Sequence, residues 1–213
     1  MGVIETFVSP VRVERAIDIM ADNTFGVDDA VKAFKLNPSV PQLSALSQVP
    51  YTENTLLECK DTHFLAAVFP LSIINIHDLF ADGDNGRIFS SNFWYRREPF
   101  ALNPGETMWR LFRKAPIPNT FLKTLEEHLS IFLPQDEEIP KVRRLVYAMV
   151  ARYITTGERL FENAYVRCAD RDAFGVRLAV SGIGAEGLSI TNEFGNKRNK
   201  NLCLASARKF DHF

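Results

Sequence analysis

Hydrophobic and polar positions alternate with the helical period most clearly between Pro140 and Phe161. Val142, Leu145, Val146, Met149, Val150, Tyr153 and Ile154 fall on one stripe, broad enough to face a core, and predict a central helix. Lys141, Arg143, Arg144 and Arg152 are expected on its watered side. Pro140 suits a first turn, Glu137 and Glu138 lie where the helix dipole favours acid, and Gly157 suits a left-handed cap. A second stripe, Phe121, Leu122, Leu125, Leu129, Phe132 and Leu133, predicts a helix over 119–133 that Pro134 ends.

Shorter periodic pieces precede these. Residues 12–20 and 28–34 read as two small helices separated by turn residues, and Ser72 is placed to cap another through Phe80. Residues 37–50 hold three prolines and read as connection, with a helical turn near 42–46. Strand character is expected at 56–60, 64–69, 87–90, 93–96 and 107–114. Beyond Gly157 the period shortens to two, so 165–168, 176–181 and 188–191 predict an antiparallel meander. The pattern as a whole predicts an α+β fold, with a mixed, largely antiparallel sheet packed against helices in one domain over 1–213. Residues 10–36 form a helical N-terminal appendage in an alternative reading.

Composition narrows the class. With 213 residues the chain buries enough surface to fold without disulfides or metal. Its three cysteines, Cys59, Cys168 and Cys203, form no C-x-x-C pair. No basic flank precedes an apolar run at the start, and the longest apolar run, Phe64 to Ile76, is too short for a bilayer. A cytoplasmic protein with no membrane partner is expected. Met1–Gly2 followed by Thr6 fits a myristoylation pattern loosely, and the apolar-core reading of the 17 phenylalanines outweighs a partner surface.

The segments TFGVDDAVKAF, ECKDTHFLAAVFPLSI, WRLFRKAPIPN, TGERLFENAYVRCAD and EGLSI together resemble a group of bacterial proteins without an assigned function. The resemblance spans nearly the whole chain in order, which implies a single unit. It implies no catalytic residue, cofactor or partner.

Several motifs fail their chemistry. Gly182 to Gly187 matches G-x-G-x-x-G, but a strand pattern follows where a phosphate-binding helix is needed. A calcium loop over 81–92 would place Ala81 and Gly83 at ligand positions and Asn92 where a glutamate belongs. A helix–turn–helix at 10–36 would be acidic. Cys59, Asp61 and His63 would share a face of an extended strand, and His77 with Asp78 could join them in a small hydrolase or metal-dependent site.

Charge distribution points elsewhere. The formal net charge is −1, yet 87–114 carries six basic and two acidic residues, interleaved with aromatics. Arginines beside aromatic rings suit phosphates and stacked bases. Arg96, Arg97, Arg110, Arg113, Trp94 and Trp109 are therefore the candidate binding residues, for nucleic acid or an acidic protein. The competing reading pairs these arginines internally with acids and turns the rings inward. A non-catalytic intracellular binding protein is the leading expectation, and the Asp61, His63, His77, Asp78 enzyme is the alternative.

Overall fold

The computed structural model describes residues 9–80 and 87–213. The candidate calcium loop and the myristoylation pattern fall largely or wholly outside the described residues. Two larger sheets and one two-stranded ribbon carry the fold. Strand β1 (Val11–Arg12) pairs with β3 (Gln48–Val49) in the ribbon. The five-stranded sheet runs β2 (Thr24–Phe25), β4 (His63–Val68), β5 (Met108–Arg113), β11 (Ala207–Arg208), β6 (Glu137–Glu138). Its β2–β4 pair is parallel and the rest antiparallel. The four-stranded sheet runs β10 (Leu202–Cys203), β7 (Tyr165–Arg171), β8 (Arg177–Ser181), β9 (Ile190–Thr191), with β10 parallel to β7. This is the mixed, largely antiparallel α+β arrangement that the pattern predicts.

Helix α8 (Val142–Thr156) joins the parts, touching β4 of one sheet, β7 and β8 of the other, and three helices. Those helices are α2 (Val27–Phe34), α5 (Ile73–Phe80) and α6 (Pro99–Leu102). Gly157 closes α8 in the left-handed conformation at φ 74°, donating to the Tyr153 carbonyl at 2.8 Å. Met149 and Val150 are fully buried, as is Tyr147, whose hydroxyl donates to the Ala67 carbonyl at 2.9 Å.

The watered side expected of α8 is largely absent. Arg143 and Arg152 are buried at 5 % and 9 % exposure, because neighbours enclose the helix on more than its apolar stripe. Arg152 is satisfied there: it donates to Glu158 at 2.7 Å and to the Asp22 carbonyl at 2.7 Å.

The N-terminal helices are not appended. Helix α1 (Val13–Met20) packs on α4 (Glu53–Cys59), and Phe25 and Phe34 both meet the Tyr147 ring. Strand β2 between them is a member of the main sheet.

Four expected elements differ. Residues 56–59 belong to helix α4, with Lys60 as its C-cap, and not to a strand, because Thr52 caps the helix by accepting from Thr55 N at 3.1 Å. The helix over 119–133 is broken. Thr120 is buried and spends its hydroxyl on the Ile117 carbonyl (2.7 Å) and on Leu204 N (3.1 Å), while Asn119 and Leu122 adopt positive φ. Helical structure begins only at the Thr124 cap, as α7 (Leu125–Glu127) followed by a π turn over His128–Phe132. Trp94–Arg97 is a 3₁₀ turn, and at 87–90 only Phe89 bridges another chain segment, at Leu188. Short α3 (Val40–Ala45) occupies the proline-rich connection, close to the expected turn.

Truncating Met149 or Val150 to Ala should destabilise the protein by about 1–5 kcal/mol through cavity formation. Urea unfolding monitored by circular dichroism reads this; losses below about half a kcal/mol at both sites would show that α8 is not the packing centre.

Candidate functional site

The structure divides the six candidate binding residues. Trp109 is buried and donates its indole N–H to the Leu46 carbonyl at 2.9 Å. Arg110 is 3 % exposed, hydrogen-bonds Glu138, and lies 4.8 Å from the Phe210 ring centre. Arg113 donates to Glu137 at 2.8 Å. These three serve the interior, because β5 is a central strand and leaves its side chains little water. Trp94, Arg96 and Arg97 stay exposed on the 3₁₀ turn, although Trp94 donates to the Ile190 carbonyl at 2.8 Å.

The residues of the alternative site are not gathered. Cys59 ends α4, Asp61 is exposed in the following turn, and His63 starts β4, so they share no strand face. His77 sits on α5, stacked on Phe93 at 4.0 Å and 3.2 Å from the carboxylate of its neighbour Asp78. Among the described residues no three His, Cys, Asp or Glu side chains are grouped to hold a metal ion. The Gly182–Gly187 match is a loop between β8 and β9. Gly187 has φ +80°, and a Cβ there would lie 2.5 Å from the Phe89 backbone, so packing explains it.

His63 instead joins a buried ionic cluster. Its Nδ1 lies 2.8 Å from the Thr62 hydroxyl, and its Nε2 is 3.3 Å from Glu137, close enough for an ion pair but off-line for a hydrogen bond. Ser206 also donates to Glu137. Burial alone would raise the Glu137 carboxyl, but His63, Arg113 and Ser206 outweigh it and hold it at about 2. The serine contacts the carboxylate rather than the imidazole, so no nucleophile–base pair is formed.

A second cationic locus lies where α8 begins. A cleft of about 310 Å³ is lined by Phe100, Asn103, Gly105, Glu106, Lys141, Arg143, Arg144 and Asp170. Asp170 receives the Val142 backbone N–H at 2.6 Å, so the helix N-terminus is already capped. Arg143 spends one terminal nitrogen on the Phe69 and Leu71 carbonyls, at 3.3 and 3.4 Å. Among the described residues its Nε and other terminal nitrogen have no acceptor, and no carboxylate lies within ion-pair distance. Burial, then the neighbouring Arg144 charge, lowers the Arg143 guanidinium to about 10. Arg144 has its Nε buried without a partner and meets Glu138 only at 3.7 Å. Burial and the Arg110 charge lower it as well.

Gly105 makes this arrangement possible. Its φ of +70° suits glycine, and a Cβ there would fall 2.4 Å from the Arg143 terminal nitrogen and 2.5 Å from Nε. Asn103 fixes the turn by accepting from Gly105 N at 2.8 Å. Sequence reasoning places Arg143 and Arg144 in water and misses the cleft; the signal available was the run of three cations, Lys141, Arg143 and Arg144, at one helix start.

No helix of the described residues is long and apolar enough to cross a membrane. Comparison with protein-family models, curated proteins and solved structures gives no match. The functional reading therefore rests on geometry.

The Glu137 carboxyl predicts acid sensitivity. A carboxyl whose folded pKa lies below its unfolded value stabilises the fold above the unfolded value and loses that contribution as pH falls. Here the loss should run between about 4.5 and about 2 and amount to roughly 3 kcal/mol. Glu137→Gln should lower stability at pH 7 and flatten the stability–pH curve across that window, as read by thermal melts. An unchanged slope would show that the cluster does not depend on this charge.

Proposed function

We propose that this protein is a non-catalytic binding protein for an anionic partner, and that the cleft at the start of α8 receives the anionic group. The observation that carries this is Arg143: the residue is almost wholly buried, and among the described residues no carboxylate is in contact with it and its Nε and one terminal nitrogen have no acceptor. A buried charge without compensation is costly, and an incoming anion would relieve it. Arg144 and Lys141 add positive potential to the same cleft. The basic segment 87–114 contributes through Phe100, Asn103 and Gly105 rather than through its arginines. The exposed turn with Trp94, Arg96 and Arg97 adjoins it, since Trp94 meets the Phe100 ring at 6.1 Å. A cytoplasmic setting belongs to this proposal and is supported by three free, buried cysteines.

The test uses inorganic phosphate, acetate and a labelled single-stranded oligonucleotide, titrated into the full chain by calorimetry, fluorescence and amide NMR. Acetate or phosphate should perturb amides of 103–106 and 141–144. Arg143→Lys keeps a charge but loses the fork, and should weaken binding by about tenfold. Oligonucleotide binding that survives Arg143→Lys, falls on Arg96→Ala/Arg97→Ala, and declines in salt with a log–log slope near −2 to −3 would move the site to the exposed turn. No binding by any probe overturns the proposal.

A further inference from the structure

The shape of the open donor pair in the cleft narrows the ligand, given the reading above. In an arginine, Nε–H and the terminal N–H beside it point the same way and fit both oxygens of one carboxylate. Arg15 shows that fork filled: it donates from Nε to Glu53 at 3.0 Å and from its second terminal nitrogen at 2.9 Å. In Arg143 the equivalent two nitrogens are the ones without acceptors among the described residues. Gly105 has no side chain to collide with the guanidinium, and its backbone lies close against that group.

The same cleft also holds acids. Glu106 is exposed on its wall, and Asp170 has one oxygen on Val142 N while the other takes no donor among the described residues. Both act electrostatically on Arg143 from beyond ion-pair distance. Lys141, Arg143 and Arg144 against Glu106 and Asp170 leave the lining close to balanced, with an excess of one positive charge. A strand of phosphates would meet repulsion from the two carboxylates, and it could not reach a guanidinium that is 5 % exposed. A compact molecule bearing both signs meets a partner for each.

We infer that the cleft binds a small zwitterion of the free amino acid class, its carboxylate on the Nε and terminal nitrogen of Arg143 and its ammonium on Glu106 and the open oxygen of Asp170. Phe100 offers an apolar wall for the ligand's carbon atoms. The stem of the ligand lies between these groups, in a volume of about 310 Å³ that admits a single small molecule.

The experiment titrates the full chain with pooled free amino acids, then with the N-acetyl and the carboxamide derivative of any that bind, reading thermal shift and calorimetry. At least one free amino acid should bind about tenfold or more tightly than either derivative, since each lacks one charge-assisted contact. Arg143→Lys should abolish the preference for the free carboxylate over the amide. Glu106→Gln, a change at an exposed side chain, should weaken the free amino acid about fivefold or more while acetate binds at least as tightly as before, since a repelling carboxylate has gone. Should the N-acetyl derivative or acetate bind as tightly as the free amino acid, the zwitterion inference is overturned while anion binding stands. Should acetate and phosphate also fail, both fall together.

Discussion

The structure depends on the near-complete enclosure of α8. One helix touches both larger sheets and three other helices, so the elements that pack on it are positioned relative to one another through it. Enclosure on that scale supplies the apolar burial that stabilises the fold. It also removes water from side chains that a surface helix would leave hydrated. A guanidinium carried into such a place loses hydration worth several kcal/mol, and neighbouring groups must replace it.

The protein meets that demand in two different ways. Arg152 is surrounded by acceptors, with Glu158, the Asp22 carbonyl and Asn23 around it and the Phe64 ring at 6.0 Å. Arg113 and His63 likewise converge on Glu137, which Ser206 completes from the opposite side. Those clusters pair cations with acids, leaving only the His63 Nε2 without a hydrogen bond among the groups just named, and they read as architecture. Arg143 donates two long hydrogen bonds to carbonyls from one nitrogen and, among the described residues, none from the fork. An open donor pair on a buried residue that lines a cleft has the energetic profile of a site, because the partner it lacks is one a ligand could supply.

Much of the architecture was legible in the sequence where one rule acted alone. The α8 stripe, its glycine cap, the β4 run, the Ser72 cap and the C-terminal meander each follow from period and turn chemistry. Prediction failed where a short-range hydrogen bond competed with the period. Thr120 breaks the stripe of 119–133 because its hydroxyl and its backbone are committed to Ile117, Leu204 and His128. Leu56 and Cys59 read as strand until Thr52 is recognised as a cap. Neither competitor has a signature in the hydrophobic pattern: the Thr52 cap is a polar contact three residues long, and the Thr120 hydroxyl adds one to Leu204, far along the chain.

The charge map misjudged Arg110 and Arg113 for a related reason, and the difference leads to the proposed cleft. An excess of arginine between 87 and 114 is a statement about a stretch of sequence, whereas potential at a surface depends on which charges remain unpaired. Folding places Arg110 and Arg113 against Glu138 and Glu137, two acids from the edge of the sheet that the linear count assigns to another segment. What the basic stretch then brings to the cleft is Phe100, Asn103, Gly105 and Glu106 rather than its arginines. Gly105 contributes no charge, but only a residue without a Cβ can lie this close to the Arg143 guanidinium. The cationic character of the site comes from 141–144 and its opening from 103–106, two stretches that neither composition nor spacing connects. Local charge and local shape reside on different segments here, so the recognition chemistry becomes visible only once the fold has brought them together.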